Sequence, residues 1–124
     1  MKTFTVEEAN ALIPHVRKTL QRIQKLYGRV GDLRESAKEA AGASEFGGGM
    51  EGGTEYVKTL YEVGKLTTDL HSLGVQLKDY SRGLVDFPSL RDDRIVLLCW
   101  QIDEGDEIEW WHDVEAGFAG RKPL

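Results

Sequence analysis

Several things are scarce in this 124-residue sequence, and each scarcity removes a class of protein. A single cysteine, Cys99, excludes an intrachain disulfide. The expectation is therefore a fold held by burial alone in a reducing compartment. No window approaches the roughly 18 consecutive apolar residues that a membrane-spanning helix needs. The opening Met1-Lys2-Thr3-Phe4-Thr5 has no apolar stretch of the secretory kind. Both point to a cytoplasmic protein without membrane contact. Histidine is rare, with His15, His71 and His112 alone, and a metal site would need two of them, or one plus carboxylates, to converge. The sequence by itself assigns no metal ligands and no cofactor, and it leaves open whether the three histidines meet. Positive charge is in deficit too. A net charge of −5 disfavours general affinity for nucleic acid or an anionic membrane.

What is present fits one domain spanning residues 1–124, enough chain for one core and too little for two. Thr5 and Glu8 form a capping box that predicts a helix from about residue 6. Ala9, Ile13, Val16, Leu20, Ile23, Tyr27 and Val30 then recur in steps of four and three, an apolar stripe that should carry the helix to about residue 41. Pro14 predicts a kink, or a separate short first helix. Residues 42–53 contain six glycines and read as a flexible loop. Tyr56, Leu60, Val63, Thr67, Leu70, Gly74 and Leu77 repeat the spacing, giving a second helix at about 54–80. After Gly83 the period changes to two. Residues 84–87, 95–102 and 107–113 read as strands separated by 88–94 and 103–106. The expected fold is α+β, a long antiparallel helical hairpin followed by a three-stranded antiparallel β-meander, with an irregular tail from Gly117.

Most candidate motifs yield to simpler readings. Gly47, Gly49 and Gly52 satisfy G-x-G-x-x-G, but a helix precedes them instead of a strand, and no phosphate-loop Lys-Ser or Lys-Thr follows. The basic stripe Lys18, Arg22, Lys25 and Arg29 has no interleaved aromatics to stack bases, and the acidic segment Asp103 to Glu115 is available to neutralise it, so nucleic-acid binding is not expected. Glu109 and His112 have a Glu-x-x-His spacing that a strand would send to opposite faces. More informative is the sheet register. If the 103–106 turn pairs Ile102 with Glu107, Cys99 falls opposite Trp110 and Leu97 opposite His112 on one face, while Leu98 and Trp111 meet on the other. Asp86 alternates with Val85 and Phe87 and is placed on the His112 face. An Asp, a His and the tail Arg121 near two tryptophans would make a polar pocket. The same register sets Cys99 apart from His112, which argues against an activated thiol nucleophile there.

The segments Phe4 to Asn10, Gly83 to Pro88, Val96 to Trp100 and Trp111-His112 through Gly117 to Arg121 together resemble a bacterial family, domain of unknown function 2203. The resemblance spans essentially the whole chain and implies no activity and no site residues, although some members carry a label relating them to initiation of cell division. Within those segments packing accounts for the apolar residues and backbone geometry for the glycines. Asp86, His112 and Arg121 are left over, and a binding site is expected there. Two functions follow. The first is a non-enzymatic interaction module that forms a homo-oligomer, a dimer above all, through helical stripes longer than a small sheet can cover. The alternative is a small-molecule or metal-dependent enzyme using Asp86 and His112, with Arg121 holding an anion.

Overall fold

The computed structural model describes residues 1–43 and 53–124. The expected glycine-rich loop lies, except at its two ends, outside the described residues. Helix α1 spans Val6–Ala43 and α2 spans Gly53–Ser72. The capping box forms as read: Thr5 N–H donates to Glu8 Oε1 at 2.9 Å and Glu8 N–H to Thr5 Oγ1 at 3.1 Å. Pro14 sits inside α1 without dividing it, so no separate first helix exists. The ring costs one bond, to the Asn10 carbonyl, which the flanking turns tolerate. Ion pairs Arg22–Glu62 and Arg29–Glu55 run in opposite directions along the two helices and fix the hairpin as antiparallel. They also neutralise half of the basic stripe.

Helix α2 ends at Ser72, well short of residue 80. Gly74 adopts φ 93°, a left-handed conformation that closes the helix, and Val75 N–H returns to the Leu70 carbonyl. Leu77, which continues the helical spacing by coincidence, lies in strand β1 (Gln76–Asp79). The sheet continues as β2 (Leu84–Arg91), β3 (Arg94–Gln101), β4 (Trp110–Asp113) and β5 (Lys122–Pro123). All five strands are antiparallel and in chain order. The meander is thus the expected one, extended by a strand at each edge.

Pro88, expected to end a strand, lies within β2. Strand β1 pairs only as far as Asp86, so beyond it the outer edge of β2 is free of a strand partner. Phe4 N–H donates to the Pro88 carbonyl there, which turns the proline nitrogen to the same edge, where no ladder bond is lost. The β2–β3 turn is then the two residues Asp92 and Asp93, both at positive φ. Strand β4 is shorter than expected because the preceding segment is claimed by α1: Ile108 N–H donates to Asn10 Oδ1 at 2.7 Å, and Arg17 donates to the carbonyls of Glu104 and Gly105.

The core lies between the hairpin and one face of the sheet. Ala9, Ile13, Val16, Leu20 and Ile23 of α1 and Val63 and Leu70 of α2 are buried with Val85, Phe87, Val96, Leu98, Trp100 and Trp111. Almost the whole α1 stripe is covered within one chain. Tyr27 is the exception, 46% exposed, and stacks on Tyr80 at 5.1 Å; in the α2 stripe Leu60 is 42% exposed. No helix among the described residues is long and apolar enough to cross a membrane.

Candidate metal centre

The face of the sheet turned away from the helices is covered by the chain after β4, including a single 3₁₀ turn at Phe118–Gly120. Strand alternation sends Asp86, Cys99 and His112 to this side. The two-residue turn at Asp92–Asp93 pairs Arg91 with Arg94 and, five rungs along, Asp86 with Cys99. The β3–β4 ladder pairs Cys99 with Trp110 and Leu97 with His112, the register read from the sequence. Asp86 and His112 are each only 2% exposed and Cys99 is fully buried.

Within this enclosed space His112 Nε2 lies 3.1 Å from Asp86 Oδ1. Its Nδ1 lies 2.8 Å from the backbone carbonyl of Asp113. A carbonyl can only accept, so this bond assigns the proton to Nδ1. In the neutral ring Nε2 then presents a lone pair to an oxygen of Asp86. Two lone pairs at this distance repel unless a proton or a metal cation lies between them. The Cys99 thiol lies within 4.8 Å of the Asp86 carboxylate and is pushed up to about 12, chiefly by burial and next by the Asp86 charge, with Arg121 pulling the other way.

One donor atom from each of Asp86, Cys99 and His112 lies within 4.8 Å of the other two. A tetrahedral ion with bonds of about 2.0–2.3 Å holds its ligand atoms roughly 3.3–3.8 Å apart. The observed oxygen–nitrogen separation of 3.1 Å is close to one edge of such a tetrahedron. His15 and His71 are exposed and stand outside this group, so among the described residues the histidines do not converge.

Arg121, grouped with Asp86 and His112 on the sequence, lies beside the cluster and not in it, its guanidinium donating to the Cys99 backbone carbonyl at 3.4 Å. Its guanidinium donates to both oxygens of Glu104 at 2.7 and 2.9 Å and packs on Trp110 and Phe118. It is already matched by a carboxylate, which removes the expected free anion-binding arginine. Cys99 joins the group although the β3–β4 ladder sets it apart from His112. Its distance from His112 along the ladder hid the link, which runs through Asp86 on the other neighbouring strand. Recognition of Asp92–Asp93 as a two-residue turn would have shown the Asp86–Cys99 pairing.

The order of the three groups also limits their chemistry. A cysteine nucleophile needs an imidazole beside it, with the carboxylate behind the ring. Here the carboxylate is in the middle and its charge opposes thiolate formation. Next to the cluster, Lys78, Leu84, Asp86, Leu97, His112, Val114, Gly117 and Phe118 line a partly open hollow of about 150 Å³. Lys78 reaches it from a bulge in β1, where the register shifts between Leu77 and Asp79.

Comparison with known proteins adds one family. Residues 2–124 match the model of a family described as an uncharacterized conserved protein (DUF2203). No curated protein and no solved structure matches the chain.

Proposed function

The chain belongs to the DUF2203 family, whose description carries no activity, and from the site we propose that it binds a divalent transition metal of the zinc type through Asp86, Cys99 and His112. The observation that carries this reading is the aim of the His112 ring. Its Nδ1–H is anchored to a backbone carbonyl, and its Nε2, which in the neutral ring carries a lone pair, faces Asp86 Oδ1 at 3.1 Å with the Cys99 sulfur within 4.8 Å. This is the outer support that metal-binding histidines ordinarily have. A nitrogen, an oxygen and a sulfur suit a borderline ion and disfavour magnesium or calcium, which prefer all-oxygen shells. A bound divalent ion would also reverse the environment of Cys99, deprotonating a thiol that burial otherwise keeps neutral. Three protein ligands leave a coordination position open, the pattern of catalytic zinc sites, which keeps the metal-dependent enzyme reading in view.

Cobalt titration of the untagged, metal-free chain tests this. The expected result is one Co²⁺ per chain and a sulfur-to-cobalt absorption band that Cys99→Ser abolishes. Asp86→Ala and His112→Ala should each weaken binding about tenfold or more. Binding well below one ion per chain, or a band that survives in Cys99→Ser, would overturn the proposal.

A second reading, self-association, rests on a different surface. Val57, Leu60 and Tyr61 of α2 are 63%, 42% and 73% exposed and lie within about one helical turn of each other. A second copy of the chain covering this patch would make the dimer that helical patterning suggested. Light scattering showing a dimer that Tyr61→Glu dissociates supports it, and a monomer at micromolar concentration removes it.

A further inference from the structure

Resting on the metal reading, we infer that the open coordination position takes a small monocarboxylate, whose head completes the metal shell and whose short apolar tail occupies the adjoining hollow. Three features of that hollow select this ligand.

The first is charge. A divalent ion with the carboxylate of Asp86, the thiolate of Cys99 and a neutral imidazole forms a centre of zero net charge. An anionic fourth ligand makes it negative, next to ligands that are themselves buried, and a nearby cation would offset the excess. Lys78 is that cation. It is itself exposed, lines the hollow with Asp86 and His112, and among the described residues makes no ion pair. Arg121 cannot serve, being held by Glu104. Without a metal the balance reverses: Asp86 would repel a second carboxylate, so the hollow should accept the anion only in the loaded protein.

The second feature is the wall. Leu84, Leu97, Val114 and Phe118 provide apolar surface, and apart from Lys78 the polar side chains are the two metal ligands themselves. Water or an inorganic anion would leave that surface without contact, whereas a short alkyl chain would bury it. The third is size. The hollow, about 150 Å³ and partly open to solvent, holds about six non-hydrogen atoms, the carboxylate head against the metal included. Butyrate has that number, acetate underfills the space, and octanoate exceeds it.

The test uses the full chain loaded with Co²⁺ and titrated at constant ionic strength with acetate, butyrate and octanoate, read through the cobalt ligand-field bands. Butyrate should shift the bands and bind more tightly than acetate, by about twofold to fourfold for each added methylene. Octanoate should fall back below butyrate, and butyramide, the neutral counterpart, should leave the bands unchanged. Lys78→Ala should weaken butyrate about threefold to fivefold without changing Co²⁺ stoichiometry. Bands that ignore every carboxylate while Co²⁺ is bound would overturn this inference and leave the metal reading standing. So would equal butyrate affinity in wild type and Lys78→Ala. Failure to bind Co²⁺ would overturn both.

Discussion

On the helix side of the sheet, Val85, Phe87, Leu98, Trp100 and Trp111 meet α1 and α2 in a core where aliphatic and aromatic surfaces fill the space. On the other side, the residues that alternate with them are Asp86, Cys99 and His112, equally buried but polar. The same strands supply both sides, and parity alone separates them. Burial therefore has two meanings in this chain. On the helix side it stabilises by removing apolar surface from water. On the tail side it isolates three donors from solvent, an arrangement that is costly unless a proton or a cation satisfies them.

Phe87→Ala challenges the helix side most directly. Phe87 is fully buried and packs edge-on against Phe4, with ring centroids 5.5 Å apart. Urea unfolding should show a loss of about 3–5 kcal/mol. At temperatures where the variant remains folded, Co²⁺ stoichiometry should equal that of wild type. A loss below about 1 kcal/mol would mean that this face is not the main core.

The tail side should respond through reactivity. With its titration near 12 against an ordinary value of 9.0, the metal-free Cys99 thiol should present about a thousandfold less thiolate than an exposed cysteine near neutral pH. Reaction with a chromogenic disulfide reagent should be slowed by at least that factor and restored in denaturant. Rapid labelling of the folded chain would show that the tail does not seal this face. In stability, Cys99→Ala should cost only about 1–2 kcal/mol, the cost of a small void beside Asp86. It should nevertheless abolish metal binding. The contrast with Phe87→Ala, which costs stability and spares binding, is what would separate the two faces by experiment.

Periodicity made much of this division legible. The α1 stripe, the change to period two after Gly83 and the pairing of Cys99 with Trp110 all followed from spacing, and Asp86 and His112 fell together because alternation placed them on one face. What spacing does not carry is backbone conformation and long-range pairing. Leu77 kept helical spacing across a helix end that Gly74 imposes through positive φ. Pro88 looked like a terminator because nothing local reveals that its edge of β2 faces Phe4 and not another strand. Arg121 looked available because Glu104, its partner across the 3₁₀ turn and β3, is distant in sequence. The role of Cys99 is not legible from the β3–β4 ladder alone, because the site is built across two ladders.

The smallest expected effect lies outside both faces, at the start of α1, and shows how little an exposed contact counts beside either. Glu8 accepts the Thr5 backbone N–H, which is the main reason its carboxyl titrates below the usual 4.5; the Thr5 hydroxyl adds to the effect, and Lys2 contributes a little more. A carboxyl whose folded value is lowered stabilises the fold fully above its unfolded value, and that contribution fades as pH falls through the folded value. Glu8→Gln keeps a side chain that can accept the same hydrogen bond and removes only the charge, which also favours a helix N-terminus. Unfolding measured at several pH values should therefore show wild type slightly more stable at neutral pH, with the gap closing below about 4.5 as Glu8 takes up its proton. A gap that stays constant with pH would assign the capping contribution to the shape of the side chain and not to its charge.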